Sequence, residues 1–247
     1  MNHKIYARRF ACACTLGAAA LAQAGPIYSD GTMALAQFSS TPTWALPGTM
    51  TVAGASAAGN PGPGLQVLAQ GLTGQTGYSY IAGFVYSAFS YDPTSAGAIS
   101  SIDFSIDRAA KFTDNGTPLA GVTITGRVLI EQGGQLYMAI SPGVAPSAGY
   151  TSIAMPDLVA SDFGLWNLGS GNVDATLNPD FSAGAMQFGF AMRGTALGYP
   201  QGDTLQLDSY ADNFWLRVNN DVPSPGTLAL ALAALALLAA QRQRARR

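Results

Sequence analysis

The sequence predicts an all-β protein, folded as a single antiparallel β-sandwich between two short processing signals. Three observations predict it. Apolar residues recur with period two, glycines and turn residues punctuate the runs, and no helical periodicity is sustained between the two ends. Ile102, Phe104 and Ile106 alternate with Ser101, Asp103, Ser105 and Asp107. Val122, Ile124, Val128 and Ile130 share a face, while Thr123, Thr125, Arg127 and Glu131 point the other way. Met186, Phe188, Phe190 and Met192 alternate with Gln187, Gly189, Ala191 and Arg193, and Phe214, Leu216 and Val218 with Asn213, Trp215, Arg217 and Asn219. One apolar and one polar face per strand is what antiparallel sheets buried on one side require. Turns at Tyr91-Asp92-Pro93, Asp114-Asn115-Gly116 and Gly133-Gly134 would reverse the chain between roughly ten strands. The segment 41–63, rich in Ala, Gly, Pro, Ser and Thr, reads as irregular loop with one strand near Thr49–Val52. No repeat of fixed period appears, which disfavours propellers and solenoids.

The N-terminus carries a positive cluster, Lys4, Arg8 and Arg9, and then an apolar or small stretch from Phe10 to Leu21. Ala22-Gln23-Ala24 follows, the small-x-small pattern that signal peptidase accepts, which places cleavage before Gly25. Residues 1–24 are therefore expected to be a helical signal peptide, since the apolar run falls short of the roughly 20 residues a bilayer span needs. At the other end, fifteen residues from Gly226 to Ala240 carry no charge, and Arg242, Arg244, Arg246 and Arg247 follow. A short apolar helix behind a proline-containing spacer suits an anchor that is inserted transiently and then removed. Val222-Pro223-Ser224-Pro225, the Ala/Leu run and the arginine cluster together resemble a PEP-CTERM sorting signal over residues 222–247. Ser224 stands where that family usually carries glutamate. The resemblance implies an exosortase as processing partner. It also implies a precursor held in the inner membrane of a Gram-negative bacterium and delivery to the envelope or extracellular matrix.

Between the signals, residues 25–221 have room for one domain with a sizeable core. All fourteen acidic residues lie there but only five basic ones, Arg108, Lys111, Arg127, Arg193 and Arg217, a net charge of −9. A surface this acidic repels phosphate backbones, which sets nucleic acid aside as a partner, and it suits calcium or neutral sugars. His3, Cys12 and Cys14 all fall in the signal peptide. Ser-His-Asp and Cys-His catalysis and zinc held by His or Cys are thereby excluded. No catalytic residue is assigned and the chain is expected not to be an enzyme. A carboxylate-only glycan hydrolase or lyase would have to use Glu131, the sole glutamate, with an aspartate.

Two stretches, 59–65 (GNPGPGL) and 210–218 (YADNFWLRV), resemble the turn-and-strand and the closing strand of jelly-roll, carbohydrate-binding-module-like domains. That resemblance implies a jelly-roll sandwich that binds polysaccharide and a structural calcium tying the first strand to the last, at Asp30 and Asp212. Hard oxygen donors are what Ca²⁺ takes. Asp114-Asn115-Gly116 and Asn172-Val173-Asp174 are rival loops, though Asp and Asn also serve as turn formers. Sugar binding would use aromatic faces. Trp44, Trp166 and Trp215 are the three tryptophans, and Tyr78, Tyr80, Tyr86 and Tyr91 cluster on one segment. Trp215 falls in the polar register of the last strand, and Trp215 and Trp166 are the ligand-binding candidates. The expected function is a non-enzymatic surface protein associated with exopolysaccharide. The alternatives are a matrix protein without a specific ligand and the carboxylate-only enzyme.

Overall fold

The computed structural model describes residues 22–46, 48–71, 77–118, 123–146, 149–197 and 204–223, together with Leu235. Apart from Ala22–Ala24, Val222, Pro223 and Leu235, the signal peptide and the sorting tail lie outside these residues. Residues Ala24–Val222 form one compact unit. Among the described residues no helix is long and apolar enough to cross a membrane.

The architecture is two antiparallel sheets facing one another. The strands, in chain order, are β1 Ala22–Asp30, β2 Phe38–Ser40, β3 Thr43–Leu46, β4 Gly48–Gly59, β5 Gly62–Gly71, β6 Gly77–Tyr91, β7 Ile99–Asp114 and β8 Thr117–Pro118. They continue with β9 Thr123–Gln132, β10 Gln135–Ala139, β11 Gly143–Pro146, β12 Thr151–Leu158, β13 Phe163–Trp166, β14 Val173–Asp174, β15 Met186–Leu197 and β16 Leu205–Pro223. The first sheet runs β12-β7-β16-β5-β4, with β1 on β16 and β8 on β7. The second runs β14-β13-β10-β9-β15-β6-β2, with β3 on β6 and β11 on β9.

The four alternating stretches form β7, β9, β15 and β16, and their apolar faces meet in one core. Ile102, Phe104, Ile106, Phe214, Leu216 and Val218 from the first sheet pack against Ile124, Val128, Ile130, Phe188, Phe190 and Met192 from the second. Tyr78, Tyr80 and Tyr86 also point inward and are fully buried, which removes three of the four tyrosines from any ligand platform. Fully burying a large apolar side chain stabilises by about 1.5–3 kcal/mol. The Phe190–Phe214 ring pair (5.9 Å) bridges the sheets at aromatic contact distance, and Phe84–Phe190 (5.1 Å) stacks across neighbouring strands within the second sheet.

Two features were not legible in advance. The segment read as loop is strand over most of its length, since β3 and β4 occupy it as far as Gly59. Small residues weaken the period-two signal without preventing ladder pairing, and β4 pairs with β5 from Gly48–Gly71 to Gly59–Gly62 through two register shifts. The second feature is Arg108, which lies inside the sandwich with no exposed surface. Its Nε donates to the Tyr210 carbonyl at 2.9 Å and its Nη1 to the Thr125 carbonyl at 2.6 Å, so it ties β7 to β16 and, across the core, to β9. Burial pulls its pKa down, opposed by the nearby phenols of Tyr80 and Tyr150.

The turn at Tyr91-Asp92-Pro93 becomes a single helical turn, Pro93–Ala96. Asp92 caps it by accepting from the Thr94 N–H at 3.0 Å, and proline occupies the first turn, where no N–H is needed.

Candidate functional site

Three places bring together the residues that the sequence marks. The first is a junction in the first sheet. Along β16 the neighbour on one side changes: β5 pairs with Gln206–Ala211, and β1 takes a place further along. At the change β16 is bulged between Asp212 and Trp215, with Asn213 at φ 50°. The bulge switches the inward register from Leu205, Leu207 and Ala211 to Phe214, Leu216 and Val218. Asp212 is fully buried there and Asp30 is 7% exposed. One Asp212 oxygen accepts from the Asn60 N–H and the other from the Asn213 N–H. Asp30 accepts from the Thr32 N–H (2.7 Å), the Thr32 hydroxyl (2.8 Å) and the Met33 N–H (3.1 Å). Both carboxylates act on the Tyr86 phenol. Burial pushes that phenol far above its usual pKa, and Asp30 and then Asp212 add to the shift.

The structure thus brings the two predicted residues to one buried place, where among the described residues no cationic side chain forms an ion pair with either. Both carboxylates accept from backbone N–H and hydroxyl groups, and their oxygens are the kind of ligand a hard cation takes. Among the described residues no group of three or more Asp, Glu, His or Cys side chains is arranged to hold a metal. The rival loops are accounted for as turns. Asn115 and Gly116 turn the chain with φ 48° and 81°, and Asp174 accepts from the Thr176 N–H and hydroxyl at 2.9 and 2.7 Å.

The second place is the outer face of the first sheet, where Trp215 sits, partly buried, in the register expected for it. The Arg217 guanidinium lies 5.9 Å from its ring centroid, within cation–π range. Arg217 is committed to Asp103 as well, through Nη2 and through Nε at 2.9 Å. Asp103 also accepts from the Asp157 N–H (2.8 Å) and the Asn219 amide (3.2 Å). Burial works to raise the Asp103 pKa, but the Asp157, Asn219 and Arg217 contacts outweigh it and leave the carboxyl below its ordinary value.

The third place is the outer face of the second sheet, and sequence reasoning singled out only part of it. Trp166 is here but is 3% exposed. It packs among Ile81, Val85, Leu129, Met138 and Ala191, so it is a floor and presents no ring face to a ligand. Its Nε1 is buried without a hydrogen-bond partner. Trp44, partly buried, packs over this cluster. A Cβ added at Gly171 (φ +70°) would meet the Trp44 ring at 2.5 Å, so glycine is what lets the 167–173 loop lie against the indole.

Beside this cover lies a groove of two neighbouring depressions of about 230 and 190 Å³, which share Arg127 and Arg193 as lining. Ile81, Met138, Ile140 and Val173 give one part an apolar side, with Asn172 at its rim. Thr125, Pro142 and Thr195 line the other. Arg127 Nη1 donates to the carbonyls of Ala139 (2.8 Å) and Ile140 (3.0 Å). Burial and then the like charge of Arg193 bring the Arg127 pKa down to about 10. Glu131 lies further along the same face, accepting from the Ser40 hydroxyl at 3.2 Å. Its cross-strand partners are Leu136 and Gln187, neither a second carboxylate.

No protein-family model matches the chain, and no curated protein matches it. Among solved structures, a family 30 carbohydrate-binding module is similar at 10% identity, over 78% of this chain and 92% of the other, with a TM-score of 0.31. An infectious bursal disease virus structure (Gx strain) aligns at 7% identity, over 85% of this chain and 47% of its own, with a TM-score of 0.20.

Proposed function

We propose that this chain is an exported, non-enzymatic polysaccharide-binding protein of a Gram-negative cell surface. It is cleaved before Gly25 by signal peptidase and at Val222-Pro223-Ser224-Pro225 by an exosortase, with the jelly-roll, carbohydrate-binding-module-like class as its reference. The observation that carries the binding reading is the groove on the outer face of the second sheet. It is apolar along one side and edged by hydroxyl, amide and guanidinium groups, which suits a sugar chain offering ring faces and hydroxyls together. A structural calcium at Asp30 and Asp212 belongs to the same proposal. The ion would compensate two buried carboxylates and hold β1 to β16, supplying stability and no chemistry.

The test is a glycan array probed with the exported protein, followed by incubation with the glycans it binds. The expected result is retention on at least one polysaccharide without product release. Release of oligosaccharides would make it the carboxylate-only hydrolase or lyase. Retention on none would leave a matrix protein without a specific ligand. Intact-mass analysis of the same material is expected to show neither terminal apolar run, and retention of the C-terminal arginines would make the tail an ordinary anchor.

A further inference from the structure

We infer that the Arg127–Arg193 groove takes an acidic polysaccharide, a uronate chain whose carboxylates sit between the two guanidinium groups, rather than a neutral one. This rests on the binding reading above and specifies its ligand class.

Placement comes first. On β15 Arg193 lies opposite Thr125 of β9 and Ile81 of β6, and Arg127 lies opposite Ala191, two residues away on the same strand. The two arginines are therefore diagonal neighbours on one face of adjacent central strands. That spacing leaves long side chains in reach of a common ligand, and central strands hold them on a rigid base.

Unsatisfied polar groups come second. Among the described residues the Arg193 side chain has neither a hydrogen bond nor an ion pair. Arg127 Nε and Thr125 Oγ1 are both buried without a hydrogen-bond partner. Buried polar groups are nearly always paired, so a cluster of orphans calls for an explanation. Here both orphans belong to residues that line one groove, beside the Arg193 guanidinium. A carboxylate accepts from guanidinium groups in bidentate fashion, with charge assistance that a neutral hydroxyl lacks.

Charge comes third. The region between the signals has a net charge of −9 with five basic residues, yet two of the five line this groove and, among the described residues, no carboxylate does. The nearby acids are engaged elsewhere, Glu131 with Ser40 and Asp174 with Thr176. The two arginines repel each other, and a bound carboxylate relieves that repulsion. The Ser79–Thr195 hydroxyl pair (2.9 Å) and Asn172 remain to meet sugar hydroxyls.

The experiment is isothermal titration of the full chain, in mild detergent, with polygalacturonate, with its methyl-esterified form and with an unsubstituted neutral β-glucan. The ester keeps the sugar backbone and removes the charge. We expect the acid form to bind about tenfold tighter than the ester, in line with charge-assisted hydrogen bonds. Arg193→Gln is expected to lose about tenfold on the acid form only, with Arg193→Lys recovering part of it. Raising salt from about 0.1 to about 1 M, which shortens screening from ~10 to ~3 Å, is expected to weaken the acid form selectively. Among the described residues the Arg193 side chain has no partner to orphan, so an unchanged melting temperature in Arg193→Gln ties the loss to the groove. Equal affinity for acid and ester, or indifference of the acid form to Arg193→Gln, overturns the inference while leaving a neutral-glycan binder. Tighter, Arg193-dependent binding of dextran sulfate or DNA than of polygalacturonate overturns it in favour of a general anion site. No binding of any glycan, charged or neutral, overturns the binding reading itself.

Discussion

The outer faces of the two sheets carry the same kinds of side chain and treat them in opposite ways. On the first sheet, Arg217 lies near the Trp215 ring and is locked to Asp103, which also accepts from Asp157 and Asn219. The two charged groups beside that ring are thus each other's partner. On the second sheet, Arg127 gives one nitrogen to two carbonyls and keeps Nε unpaired, and Arg193 has no partner among the described residues. The tryptophans divide likewise. Trp215 is partly exposed on the satisfied face, while Trp166 is the floor under the unsatisfied one. An aromatic ring on a polar strand face is thus a weak guide to a binding site. Whether its charged neighbours are already spent is a better one, because a paired guanidinium must break a contact before it meets a ligand.

Three experiments sharpen or break this contrast. The largest effect is expected at the junction beneath the first sheet. If calcium holds Asp30 and Asp212, about 2.7 kcal/mol of stabilisation appears once the ion exceeds its dissociation constant a hundredfold. That is a melting shift of several degrees between calcium and EDTA, abolished in Asp212→Ala. Equal melting temperatures in the two buffers would remove the ion.

Next comes Gly171→Ala on the second face. The glycine sits at φ +70° and an added Cβ meets the Trp44 ring at 2.5 Å, so left-handed strain and a clash act together. A loss of about 1–3 kcal/mol is expected in denaturant unfolding, together with weaker glycan binding as the loop carrying Asn172 lifts. Full binding in this variant would show that the loop is no part of the groove.

The smallest effect is expected from the paired face. Arg217→Gln should cost at most about 1 kcal/mol, the range of solvent-accessible ion pairs, and should leave glycan binding untouched. Its sign with pH follows from Asp103, whose folded pKa lies below the unfolded value. The contribution is present above the unfolded pKa and is lost as pH falls through the folded one. The gap between parent and Arg217→Gln should therefore narrow on acidification below about pH 4. A gap that persists at low pH would mean that packing on Trp215, rather than charge, is what Arg217 supplies.

How much was legible follows the physics of each feature. Strands β7, β9, β15 and β16 were readable because each has a face of large apolar residues, and a period of two survives any partner choice. Strand β4 was not, because Ala, Gly and Ser give no contrast between faces. Asp30 and Asp212 were placed together by resemblance, and the structure brings them to one junction. Trp166 was misjudged as a platform, since exposure depends on what another strand lays over a ring.

By itself the sequence determined the β character, the inward sets of the long strands, the acidic balance of residues 25–221 and the absence of histidine and cysteine from it. These are properties of composition and of neighbours along one strand, where distance is fixed by the backbone. Only the tertiary structure decided that Arg108 lies inside the core, that Arg217 has a carboxylate partner and that Arg127 and Arg193 share a groove without one. Residues 103 and 217 meet through strand pairing across more than a hundred positions, as do the loop at Gly171 and Trp44 through packing. Pairing of that range is set by the register of whole sheets, which local alternation does not encode.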